Sequence, residues 1–123
     1  MAFVSDTLMD VMLQYIKDNG NKLNICSAIP TTYTEAITTY MLANVTVDST
    51  DYTLANGDVS GRKVTVAGQT GVTVTNTGTS LVAAITKSAG TLLLLHTACT
   101  SIALTAGNTI NTTSFDWEIL DAA

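Results

Sequence analysis

Charge is scarce in this chain: charged residues take 12% of its 123 positions, about half the ~25% of an ordinary soluble domain. Disordered chains and coiled coils both need more charge than that, so both are excluded. The five cations, Lys17, Lys22, Arg62, Lys63 and Lys87, are scattered and stand against ten acids. A phosphate backbone asks for clustered cations, so nucleic acid is excluded as a partner. Long apolar runs are missing too, since runs such as the four leucines at 92–95 fall far short of the ~18 residues of a membrane span. The chain's start lacks the basic residues and continuous apolar stretch of a secretory signal, so folding in a cytoplasm is expected. In that reducing compartment Cys26 and Cys99, 73 positions apart, are expected to stay as two buried thiols.

What the chain has in quantity is threonine, at 23 positions, within a composition that is 46% hydrophobic. A chain of this length can bury roughly two-thirds of its unfolded surface, which is enough for one core. With no linker, charge block or low-complexity tail, 1–123 is expected to be a single domain: a helix within 1–20, then a β-sandwich over 21–123.

Ser5 is a good N-cap, and Asp6 puts negative charge in the first turn. Leu8, Met9, Met12, Leu13, Tyr15 and Ile16 follow at helical spacing, with Asp10, Gln14, Lys17 and Asp18 on the other face. The pattern predicts an amphipathic helix over 6–19, stopped at Gly20 by a left-handed residue. Beyond Gly20 the period changes to two and β-branched residues dominate. Leu23, Ile25 and Ser27 alternate with Asn24 and Cys26 before Pro30. A turn or short helix is expected over 32–37, because five threonines within 31–39 weigh against a longer one. An extended stretch follows to Val47. Asn56-Gly57 is the strongest hairpin signal, since both residues tolerate positive φ. Runs at 63–66, 72–75, 81–86, 91–97 and 101–104 are punctuated by Gly68, Gly71, Gly78, Gly90 and Gly107, and the leucine run reads as buried on both faces. Phe115, Trp117 and Ile119 alternate with Asp116 and Glu118. The fold class is therefore mainly β: a compact antiparallel sandwich or jelly roll of about seven or eight strands with one N-terminal helix.

Candidate chemistry is thin. His96, the single imidazole, lies three residues before Cys99, but on a strand these positions face opposite sides, and no third group orients them. Two cysteines and one histidine lack the paired spacings zinc requires, and Asp48, Asp51 and Asp58 lack a calcium-loop pattern. Aspartates in turns more commonly bond their own backbone. Trp117 alternates onto the apolar face, so core packing outweighs stacking on a sugar. No catalytic, metal or cofactor residue is assigned, and the chain is not expected to be an enzyme. Low charge, many threonines and few lysines to guard strand edges instead describe a surface made for contact with other proteins.

The segment Ala55-Asn56-Gly57-Asp58-Val59-Ser60-Gly61-Arg62-Lys63-Val64-Thr65-Val66, with the later Gly107-Asn108-Thr109 and Phe115-Asp116-Trp117-Glu118-Ile119, resembles a family of small virion proteins of tailed bacteriophages. The opening Val4-Ser5-Asp6-Thr7-Leu8 and the Pro30-Thr31-Thr32-Tyr33 stretch are similar as well, while 45–52 departs from the family's pattern. The resemblance implies a capsid decoration or cement protein, located on the virion surface. It would bind the outer face of the major capsid protein lattice, stabilise the mature head, and form homo-oligomers on the particle. A tail or head-to-tail connector component is the alternative, and a carbohydrate-binding module a more remote one. The residues expected to reach the partner are Phe3, Val4, Asn56, Gly57, Asp116, Glu118 and Asp121.

Overall fold

A computed structural model describes residues 5–119. Helix α1 runs over Asp6–Asn19, and the Ser5 hydroxyl accepts from the Leu8 N–H, capping it as its sequence dictates. Eleven strands follow: β1 Lys22–Cys26, β2 Met41–Thr46, β3 Tyr52–Asn56, β4 Arg62–Val66, β5 Val72–Thr73, β6 Gly78–Thr79, β7 Val82–Lys87, β8 Leu92–Ala98, β9 Ala103–Leu104, β10 Thr109–Ile110 and β11 Phe115–Ile119. Seven of them are five residues or longer. The main sheet has the order β2-β1-β7-β8, a second has β11-β4-β3, and two short pairs, β10-β5 and β6-β9, complete the set. All pairings are antiparallel. The protein is thus mainly β with one N-terminal helix, in a sandwich-like arrangement.

One apolar cluster joins the helix to both larger sheets. Leu13 and Ile16 of α1 meet Leu23, Ile25, Ala83 and Ile85 of the main sheet and Tyr52, Val64 and Val66 of the second. Period-two alternation understates this burial, because β1 is central: Asn24 and Cys26, on its other face, are as buried as Leu23. That face carries a smaller cluster of Cys26, Val82 and Ala84 under Ala36. Ala36 comes from a π-helical turn, Glu35–Thr39, closed by the Tyr40 N–H donating to the Glu35 carbonyl at 2.9 Å. The threonine-rich stretch, whose β-branched side chains resist a regular helix, folds as this single wide turn.

Four expectations need correction. Gly20 is not left-handed: its φ is −69°. Glycine is required there by closeness instead, since a Cβ would stand 2.6 Å from the Tyr52 hydroxyl and 2.7 Å from Ile85 Cγ2. The 57–61 hairpin loop has its positive φ at Gly61 (70°), not at Asn56 or Gly57. The leucine run is not buried on both faces, because β8 is an outer strand: Leu95 is buried, Leu93 and Leu94 are half-buried and Leu92 is exposed. A register shift between Ile85 and Thr86 leaves Leu94 without a partner across β7. Finally, the helix's apolar residues divide. Met9, Leu13 and Ile16 face the core, whereas Leu8, Met12 and Tyr15, with Val11, face out.

Candidate partner-binding surface

Three of the seven residues expected to reach a partner, Asn56, Gly57 and Glu118, lie towards one end of the three-stranded sheet, and Asp116 follows Glu118 along its outward face. The inward face of β3, β4 and β11 carries Leu54, Val64 and Trp117 in register, and its outward face Ala55, Lys63 and Glu118. β3 and β4 are joined by the 57–61 loop, in which the Gly57 N–H donates to the Gly61 carbonyl at 2.9 Å. The turn is tight enough that a Cβ on Gly57 would stand 2.0 Å from the Ser60 carbonyl oxygen. Asn56, at the end of β3, accepts from the Arg62 guanidinium at 2.7 Å. The same guanidinium donates through Nε to Asp10 of α1 at 2.7 Å, so the helix is fastened to the base of the hairpin.

The loop is also held from the C-terminal strand. The Asp58 N–H donates to Glu118 Oε1 at 2.7 Å, and Lys63 Nζ lies between Asp58 (2.8 Å) and Asp116 (3.0 Å). The Thr65 hydroxyl donates to the other oxygen of Asp116 at 2.6 Å. That hydroxyl first, and Lys63 second, hold the Asp116 carboxyl below the usual carboxylate range, while the two acids raise the Lys63 ammonium. Asp116 and Glu118 therefore work inside the chain as anchors. Above them Val59 stands at the loop's apex, 87% exposed. It went unnoticed in sequence, although an apolar side chain in a run of glycine, asparagine, aspartate and serine was the available signal. Phe3, Val4 and Asp121 lie outside the described residues.

The remaining candidates are placed as follows. Asp48 and Asp51 cap the short 3-10 turn Ser49–Asp51 reciprocally, the bond expected of aspartates in turns. Asp58 belongs to the Lys63 cluster instead, and among the described residues no group of three potential metal ligands exists. Trp117 is half-buried and packs against the core. His96 is exposed on β8. Cys26 and Cys99 are free thiols. Burial, with a smaller contribution from Cys99, pushes Cys26 up to about 11. Cys99 is only half-buried, a departure from the two buried thiols expected, and its N–H donates to the Leu81 carbonyl. It lines a cleft of about 470 Å³ together with Ile25, Phe115, Thr97, Thr100 and Thr113.

Comparisons with protein families, with curated proteins and with solved structures found no match.

Proposed function

We propose that this protein is a structural component of a tailed-phage virion, a decoration protein that binds the outer surface of the major capsid lattice and stabilises the mature head. The observation that carries the reading is the 57–61 loop. It belongs to the segment that resembles small virion proteins, it is tied to α1 through Arg62 and to β11 through Glu118 and Lys63, and it presents Val59 at its apex. A side chain held out on a braced loop loses little freedom on docking, which favours affinity in a contact repeated many times. A decoration protein stabilises the expanded shell by binding it better than the precursor, which needs a preformed contact and no cofactor.

Co-sedimentation with expanded and unexpanded capsids tests the reading. The wild-type chain should pellet with expanded shells, and Val59→Asp should weaken that binding at least tenfold with an unchanged circular dichroism spectrum. Copy number separates the head from the tail or connector alternative: hundreds of copies per particle fit the shell, a handful the connector. A carbohydrate-binding role draws no support from Trp117, whose ring is committed to the core.

A further inference from the structure

The main sheet is protected on one side and open on the other. At β2, Thr75 and Asn76 donate their N–H groups to the Leu42 carbonyl, and the Asn76 side chain donates to Met41. At the opposite edge lies β8, the longest strand among the described residues, none of which forms a strand paired with its outer side. An open strand edge is a row of unpaired N–H and C=O groups whose complement is another extended backbone. Soluble proteins usually guard such an edge with lysine, proline, an inward charge or a bulge, and of these β8 has only the bulge, at Leu94. Leu92–Ala98 carries no lysine, proline or acid.

Apolar surface continues from this edge. Lys87 pairs with Leu92 across β7 and β8, and its Nζ donates to the Tyr15 hydroxyl at 3.2 Å over the tyrosine ring. Leu92 (43% exposed) is thus linked through Lys87 to Tyr15 (44%), which ends an outward helix stripe that also holds Leu8 (54%), Val11 (62%) and Met12 (47%). Their open area amounts to roughly half of the ~800 Å² per partner that a stable interface buries. A paired strand of seven residues, about 23 Å long, supplies the remainder. Charge selects the occupant. The chain is acidic, at −5, yet β8 itself carries no acid: Asp58, Asp116 and Glu118 belong to the second sheet and its hairpin loop, Asp48 and Asp51 to the 3-10 turn, Glu35 to the π-helical turn, and Asp6, Asp10 and Asp18 to α1, where Asp10 pairs with Arg62 and Asp18 accepts from Gln14. Two copies of an acidic protein approach most readily along an edge free of acids, and an isologous contact needs one such edge per copy.

We propose that β8 pairs antiparallel with β8 of a second copy about a two-fold axis, merging two four-stranded sheets into one, with Leu92 and the α1 stripe flanking the seam. The inference concerns the isolated protein and does not rest on the virion reading, so a failure to bind capsids leaves it standing. Sedimentation equilibrium of the full chain between about 1 and 200 µM should give a reversible dimer with a micromolar dissociation constant. The β8 amides should exchange more slowly as concentration rises. Leu92→Lys with His96→Lys, both at exposed positions, should raise the dissociation constant at least tenfold with the circular dichroism spectrum unchanged. A monomer throughout that range would overturn the proposal, as would β8 protection that is independent of concentration or appears only when capsids are added. So would a dimer that resists the edge variant and is dissolved by Leu8→Asp with Val11→Asp, which would place the contact on the helix alone.

Discussion

Gly20 shows at the scale of one residue how a correct boundary can have a different cause. The chain must pass between the Tyr52 hydroxyl, which donates to the Gly20 carbonyl at 2.9 Å, and Ile85, and no room is left for a methyl group. Gly20→Ala gains backbone rigidity at an ordinary φ but overpacks the junction of helix and sheets. It should lower stability by about 1–3 kcal/mol, read as a lower urea midpoint at constant slope. Asn24 is the other residue that sequence could not place. Its Nδ2 donates to the Ala84 carbonyl and the Thr86 hydroxyl, both inside the sheet, while its Oδ1 is buried without a hydrogen-bond partner. A polar residue on an alternating strand reads as exposed, and only the turn packed over that face reverses the reading.

At the scale of elements, the turn between β7 and β8 contains the one non-glycine residue at positive φ among those described, Thr91 at 52°. A β-branched side chain is disfavoured in the left-handed region, whereas asparagine is tolerated there. Thr91→Asn should therefore raise stability by up to about 1 kcal/mol, measurable by denaturant titration. If the gain is absent, the turn does not hold Thr91 in that conformation in solution. The helix illustrates the complementary point. Its span, N-cap and core residues were legible from spacing, yet spacing merged the inner and outer apolar faces, because a stripe wider than one contact surface has no internal mark showing where the core stops.

For the whole molecule, ionisation adds up. Asp116, Asp48 and Glu35 are all held below their usual range, by the Thr65 hydroxyl, the Thr50 hydroxyl and the Thr31 N–H respectively. A carboxyl depressed in the folded state contributes stability that is present above its unfolded value, about 4, and lost as pH falls through its folded value. Stability should thus decline below about pH 4, and Asp116→Asn should flatten that decline. Cys26 acts at the other extreme. Its thiol is raised to about 11 by burial, so its contribution is complete below the unfolded value near 8.5 and disappears as pH rises towards 11. Urea midpoints between pH 2.5 and 10.5, for the wild type, Asp116→Asn and Cys26→Ala, check both limbs. An unchanged acid limb in Asp116→Asn would mean that its bonds to Thr65 and Lys63 do not persist in solution.

Local chemistry is what the sequence by itself determined: the capped helix at 6–19, the β class of the remainder, the aspartate turns and the inward alternation of Phe115, Trp117 and Ile119. Each rests on neighbours within a few positions, where periodicity and side-chain bonding act directly. The tertiary structure alone decided which strands are central and which outer. It placed Asn24 and Cys26 in the interior, left Leu92 and one face of the helix open, and turned Asp116 and Glu118 from free acids into anchors for a loop 60 positions earlier in the chain. These outcomes depend on which segments become neighbours across the sheets, and no local pattern encodes that. Scarce charge and abundant threonine are compatible with many pairings, and the packing of one helix against two sheets selects among them.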